Sequence, residues 1–502
     1  MELELPPFPY LLTSLLLLIL SLWFLQKKVT YSKLKLPPGP WTLPVIGCLH
    51  HLATASLPHH ALCNLARMLG PIMLLRLGEI DLVVISSREA AKEVMKTQDA
   101  ILANRPATPA ANIVAYGCKD IVFSNGPCWR QLRRICTTEL FSSKQVRSLR
   151  SIRQTEINSL LKTFSSVPEK LVNLSAMASE LTNNITIRTA FGGKVKNREV
   201  ILELIKDLLA CFSGFDLFDL FPSLSWLNVN MRRKLTRLHS KMDLVMEEVL
   251  QEHLKKQQHY KGGDKELECD LVDVLLNVKE RDDLEEPITM ENIKAVLVDV
   301  FVGGTDTAST TINWAMSELI KHPEIMGKLQ AEIRHAASEN TKFDVNALSY
   351  LKSVIKETLR MHPPVPLLVP RLCMKSCEIL GYTIPSRARL IVNVWALGRN
   401  PEYWNDPEEF KPERFETSSI DFKGQNFEFL PFGAGRRSCP GLEFGVAVVE
   451  EALYSLLLHF DWKLPVGMKP EDLDMTEAFG IVASRRDTLH LIPTLRVPLP
   501  EV

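Results

Sequence analysis

The segment Phe432-Gly433-Ala434-Gly435-Arg436-Arg437-Ser438-Cys439-Pro440-Gly441 constrains this chain more than any other. It sets one cysteine in a glycine-rich loop, with two arginines before it and Pro-Gly after it. Thiolate is the form of cysteine that binds metal. A single sulfur falls short of a zinc tetrahedron, which takes about four protein ligands, or three and a water. One axial thiolate is enough for haem iron, because the porphyrin supplies the other four donors. The glycines let backbone N–H groups approach the sulfur. Arg437 is placed to reach a haem propionate with its planar fork. The competing interpretation is a small buried hydrophobe, the usual state of a lone cysteine.

Composition narrows the setting. The 502 residues carry 59 basic and 59 acidic side chains, a net charge of zero that gives no footing for nucleic acid. The ten cysteines are scattered without a C-x-x-C pair, which fits reduced thiols in a cytosolic catalytic body better than a disulfide framework. Histidine spacing reveals no ligand set, and no HExxH, P-loop or Ser-His-Asp pattern occurs. Gly433-Ala434-Gly435 lacks the third glycine and the βαβ context of a nucleotide fingerprint, so direct NADPH binding is not expected.

The N-terminus reads differently. Phe8–Leu25 is free of charge, and about eighteen helical residues span roughly 27 Å, close to the bilayer hydrocarbon. Lys27, Lys28, Lys33 and Lys35 follow it and no small-x-small cleavage site does. The reading is a signal anchor over 1–28 with the catalytic body on the cytosolic side. Sequons at Asn173 and Asn184 are then expected to stay unglycosylated. Leu36-Pro37-Pro38-Gly39-Pro40 marks a semi-rigid hinge over 29–45, leaving 46–502 as the catalytic domain.

Within that body, Ile72–Leu77 and Asp81–Ser86 read as strands around Gly78-Glu79, and Ala388–Val394 as another. Apolar spacing of 3–4 predicts helices over Lys144–Thr163, Arg232–Gln258, Asp270–Lys279 and Thr289–Lys321, with Gln257–Glu268 an exposed loop. The expected fold class is mainly α (α+β): helix-rich, with small sheets and one long internal helix near 290–320.

That long helix contains Gly303-Gly304-Thr305-Asp306-Thr307. Each helix-interior glycine costs about 1 kcal/mol relative to alanine. Two readings follow, a packing site against another helix or a locally opened turn in which the Thr307 hydroxyl bonds the carbonyl four residues back. An opened turn with a hydroxyl and a carboxylate can hold water and relay protons. Glu357 and Arg360 stand three apart on one helical face, with Arg414 downstream. Trp129-Arg130-Gln131-Leu132-Arg133-Arg134 is a basic helix, ordinarily a solvated face.

Taken in order, these strings resemble the cytochromes P-450, the haem-thiolate monooxygenases, and in their GGTDT and PFGAGRRSCPG forms the plant A-type microsomal class. The resemblance runs from anchor to C-terminus. It implies a helix-rich triangular domain, with haem b between the long oxygen-activation helix and the cysteine loop. It assigns Cys439 as axial iron ligand in a loop opened by Phe432, and places Trp129, Arg133, Arg371 and Arg437 at the haem propionates. It makes Thr307 and Asp306 the proton-handling pair, although Ala308 stands where many members carry a second hydroxyl. It makes Glu357, Arg360 and Arg414 a buried network behind the haem loop. Implied partners are O₂, a small apolar substrate, NADPH-cytochrome reductase facing Arg130 and Arg134, and cytochrome b5 as an accessory donor.

Substrate-facing segments by the same match are Ile113–Val114, Phe212–Leu217, Val298–Gly303, Pro364–Val369 and Phe479–Val482. Their apolar composition points first to a terpenoid, with phenylpropanoid, oxime or indole-type compounds as alternatives. A peroxide-using haem-thiolate isomerase or dehydratase is disfavoured by Thr307, which such relatives tend to lose. A non-enzymatic haem-binding protein would not need the acid–Thr pair.

Overall fold

The computed structural model describes residues 34–53, 57–193, 198–211, 217–260, 270–339 and 347–499. The expected anchor lies outside them. Of the expected loop at 257–268, residues 257–260 continue a helix, and 261–268 lie outside the described residues.

Helices surround the site. They include α1 (Pro58–Leu69), α2 (Gly126–Ile135), α3 (Leu174–Phe191), α4 (Val229–Tyr260), α5 (Met290–Gly304), α6 (Asp306–Lys321), α7 (Ser349–Met361) and α8 (Leu442–His459). The largest apolar core is built on α3, α5, α6, α7 and α8. Helix α6 is buried almost all round, from Ala308 to Ile320, which is why its sequence lacks a polar face.

The strand readings hold with small shifts. Strands β1 (Ile72–Leu77) and β2 (Ile80–Ile85) form an antiparallel hairpin that turns at Gly78, φ +62°. Further along come β3 (Val172–Asn173), β4 (Arg371–Leu372), β5 (Cys377–Ile379), β6 (Tyr382–Ile384), β7 (Arg389–Val392), β8 (Phe460–Lys463) and β9 (His490–Leu495). The main sheet has the order β1-β2-β7-β4. Strand β7 runs parallel to β2 and antiparallel to β4, with Arg371 opposite Leu390. That register delivers Arg371 to the site.

Two helix readings need correction. Lys144–Thr163 is two helices, Ser143–Ser148 and Arg150–Ser165, broken where buried Leu149 leaves the helical region at ψ 6°. Thr289–Lys321 is α5 and α6, broken at Thr305, whose ψ is −69°. There the Thr305 hydroxyl donates to the Phe301 carbonyl at 2.9 Å and the Thr307 hydroxyl to the Gly303 carbonyl at 2.7 Å. Hydroxyls that take backbone carbonyls in this way loosen the i→i−4 ladder and bend the helix.

Candidate active site

The break in the long helix faces a cavity of about 320 Å³. One wall is the row Asp299, Gly303, Thr307 and Thr311, spaced four residues apart along α5 and α6. The opposite elements are Pro364–Val369, the cysteine loop and the start of α8. Gly303 and Gly304 each satisfy one of the two readings of the sequence. Nothing lies within 4 Å of a Cβ placed on Gly303, which opens to the cavity. A Cβ on Gly304 would sit 3.2 Å from Thr186 Oγ1, so Gly304 lets α3 pack closely.

The cysteine loop is folded by its glycines and one backbone bond. Gly433 and Gly435 sit at φ +66° and +69°, a region side chains rarely enter. Cys439 N–H donates to the Phe432 carbonyl at 2.9 Å, closing the loop. Gly441 N–H donates to the sulfur, at the N-terminal end of α8. Burial pushes the thiol pKa up, and the Gly441 N–H and Arg133 oppose that. The sulfur lies deep in the protein, and its exposure is to the cavity.

Four guanidiniums line the cavity: Arg105, Arg133, Arg371 and Arg437. Arg371 pairs with Asp99 at 2.6 Å and donates to the Ala434 carbonyl at 3.0 Å. Arg437 donates to the carbonyls of Ala103 (2.7 Å), Ser124 (2.6 Å) and Ile121 (3.2 Å), and stacks 3.9 Å over Trp129. Arg133 donates to Ser438 Oγ at 3.0 Å. Arg105 donates to the carbonyls of Val369 at 2.5 Å and Pro370 at 2.8 Å. Burial, and then the charge of Arg371, push Arg437 down to about 9 and Arg105 well below its usual value. Asp120 and Asp99 are the carboxylates set against these guanidiniums, and Asp99 pairs directly with Arg371.

Phe432, Trp129, Arg133, Arg371, Arg437, Thr307 and Cys439, all picked from the sequence, border this one cavity. Asp306 does not: it is half-buried beside the helix break, and desolvation raises its pKa. The acid on the cavity wall is Asp299, which accepts the N–H groups of Ile121 (2.8 Å) and Val122 (3.1 Å). Burial and neighbouring Asp120 push Asp299 well above the carboxylate range, while burial lifts Asp120 to about 6. Sequence reasoning missed Arg105, Asp99 and Asp120, which stand in no motif, and placed Asp299 only inside an apolar segment.

Of the substrate-facing segments, Val300, Gly303 and Pro364–Val369 reach the cavities, as do Phe479–Ile481. The last border a second cavity of about 130 Å³ that shares Leu368 with the first. Leu368 is held at φ +52°, a costly conformation for a branched side chain that is typical of binding walls. Val114 is packed in the core instead. Residues 212–216 lie outside the described residues. Behind the loop, Glu357 bonds Arg360 at 2.7 and 2.8 Å and Arg414 at 2.9 Å, fully shielded from solvent at Glu357 and Arg360.

The family model for cytochrome P450 matches residues 37–490. The chain belongs to the cytochrome P450 family. Among similar proteins, desmethyl-deoxy-podophyllotoxin synthase of Sinopodophyllum hexandrum is 48% identical over 490 residues, 96% of each chain. Premnaspirodiene oxygenase of Hyoscyamus muticus is 48% identical over 498 residues, 96% of this chain and 98% of that one. A zebra fish cytochrome P450 solved with progesterone superposes with a TM-score of 0.76 at 25% identity, over 88% of this P450 and 99% of that chain. This P450 is accordingly a haem-thiolate monooxygenase.

The residues present fit a haem. A haem is an apolar disc with an axial position on iron and two carboxylates at one edge. The P450 cavity is mostly apolar, presents the Cys439 sulfur at the loop, and gathers four guanidiniums, of which Arg371 is ion-paired, with Asp99.

Proposed function

We propose that this P450 inserts one oxygen atom from O₂ into a small apolar plant metabolite, a terpenoid by first choice, with electrons from NADPH through a separate reductase. The observation that carries the reading is a single, mostly apolar cavity bordered by the Cys439 sulfur and the Thr307 hydroxyl, with guanidiniums gathered on its lining. A relative of 48% identity is named for oxygenating premnaspirodiene. The other relative carries the name of a different product, so the substrate choice rests on the cavity wall and not on identity.

When bound, haem b would supply the oxidation chemistry. The chain does the rest. Cys439 would ligate the iron, its charge eased by the Gly441 N–H. Arg105, Arg133, Arg371, Arg437 and Trp129 would hold the propionates, Arg and Trp being donors only. Thr307, whose hydroxyl now donates to Gly303, would hold a proton at the oxygen side of the cavity, and Asp306 would exchange protons behind it. Leu368, Val369 and Val300 would orient the substrate and exclude water. Retention of Thr307 favours this reading over the peroxide-using isomerase or dehydratase.

Residues 1–28 serve in this proposal as an endoplasmic reticulum anchor, 29–45 as a hinge and 46–502 as the cytosolic catalytic domain, with Arg130 and Arg134 exposed toward the reductase and cytochrome b5. Among the described residues no helix is long and apolar enough to cross a membrane. A glycan found on Asn173 or Asn184 in microsomes would refute the topology.

The function is tested by expressing the full chain with a plant reductase. Candidate substrates are screened for the low-to-high-spin shift of the haem, and products are then analysed. Terpenoid hydroxylation dependent on NADPH is expected. Cys439→Ala should abolish the reduced-CO band of thiolate ligation; a retained band ends the haem-thiolate assignment.

A further inference from the structure

Helix α1 begins Pro58-His59-His60, and both imidazoles turn toward the C-terminal segment. His59 Nε2 lies 2.5 Å and His60 Nε2 3.4 Å from Glu477 Oε2. All three groups offer ligand atoms within 4.8 Å of one another. These positions are more than 400 residues apart in sequence, so no spacing pattern could have joined them.

Two features go beyond an ordinary ion pair. His60 Nε2 is shielded from solvent and, facing Glu477 Oε2 at 3.4 Å, makes no well-formed hydrogen bond among the described residues. A buried polar atom without a good hydrogen bond is unfavourable, and a ligand at that nitrogen would remove the cost. The ligands are also held in place from behind. Trp395 packs against both rings, with centroids 5.5 and 4.3 Å away, and Asn393 donates to the His59 carbonyl at 2.9 Å. The positive group nearby, Arg399, stacks 4.1 Å over Trp395 and is answered by Glu408 at 3.3 Å.

We propose that His59, His60 and Glu477 form a divalent-metal site, suited to zinc, that pins the C-terminal turn to helix α1. Two imidazoles and a carboxylate with a water in the fourth place are a common zinc set. At ligand lengths of about 2.0–2.2 Å, tetrahedral donors stand roughly 3.3–3.5 Å apart. The His60–Glu477 spacing of 3.4 Å already meets that, and the ion would replace the shorter His59–Glu477 hydrogen bond. The rest of the His60 side chain reaches solvent, so the site lies near the protein surface. The turn that follows Glu477 places Phe479–Ile481 on the second cavity, and His59 borders the same cavity. A metal here would therefore stiffen that cavity's outer wall without touching the haem side.

The test uses the full-length, haem-loaded protein in detergent, stripped with a chelator and titrated with zinc alone. Calorimetry and metal analysis should find one saturable zinc per chain besides the iron. His60→Gln keeps the His59–Glu477 pair and should keep the reduced-CO band, which reports Cys439 and not this site. It should weaken zinc binding roughly 10-fold or more, since even outer-shell partners are worth about that. No saturable zinc in the parent, or equal affinity in His60→Gln, overturns the site. If His60→Gln does not fold, zinc-edge X-ray absorption of the parent decides. A nitrogen and oxygen shell with two imidazoles supports the site, and a sulfur shell overturns it.

Discussion

Thr307 gives its hydroxyl proton to the Gly303 carbonyl at 2.7 Å, one turn back on the wall that faces Cys439. Replacing it with alanine leaves the helix and the cavity lining in place. Thr307→Ala should keep the reduced-CO band and the substrate-induced spin shift. Proton-handling groups contribute on the order of 10²–10⁴-fold, and water can replace part of that. Product per NADPH should fall and hydrogen peroxide should rise, read by measuring both in one assay. Unchanged coupling would reduce Thr307 to packing.

The adjacent glycines should respond with opposite signs. Gly303→Ala points a methyl into open cavity and gains roughly 1 kcal/mol of helix propensity. It should preserve or raise the melting temperature while weakening binding of bulky substrates. Gly304→Val drives into Thr186 on α3; overpacking of this kind costs about 1–3 kcal/mol. Thermal unfolding followed at the haem band, with spin-shift titration, separates the two.

Glu357 has no route to solvent and holds two arginines. Glu357→Gln strands their charge at a cost of about 3–5 kcal/mol. The expected outcome is a large loss of haem-loaded protein at normal transcript level, measured as CO-band yield per total chain. A variant that loads haem fully would show the network to be dispensable.

Glu318 makes stability depend on acid. Burial alone would raise its pKa, but hydrogen bonds from His322 and His362 outweigh burial and hold it at about 2, below the ordinary 4.5. A carboxylate depressed in the folded state stabilises above its unfolded pKa, and the contribution fades as pH falls from about 4.5 toward 2. Glu318→Gln should therefore lose on the order of 3 kcal/mol near neutrality. Denaturant titrations at several pH values should show the gap to the parent closing toward pH 2. A gap that is constant with pH would exclude the charge as its cause.

The sequence made legible what is local or written in one string. The cysteine loop, the hairpin at Gly78 and the opened turn at Thr307 are each set by a few neighbouring residues. Side chains brought in from afar were hidden. Arg105 and Asp99 carry no motif, yet they complete the cation cluster because β4 and the cysteine loop meet beside them. Asp299 sat in an apolar run, and only the four-residue stripe it shares with Gly303 and Thr307 puts it on the wall. The break at Leu149 escaped because apolar periodicity continues across it.

The strand of chain from Ile121 to Asn125 is held on both edges. Its N–H groups bind Asp299 on the cavity wall, and its carbonyls hold Arg437 and Arg105. In the proposed reading the backbone of this segment ties the acid on the cavity wall to guanidiniums that would hold the propionates, and proline at Ile121 or Val122, which removes an N–H, would break a link to Asp299. Val300 and the turn at 479–481 border the cavities without supporting any of these guanidiniums. Diversification of such a scaffold has its free variables there.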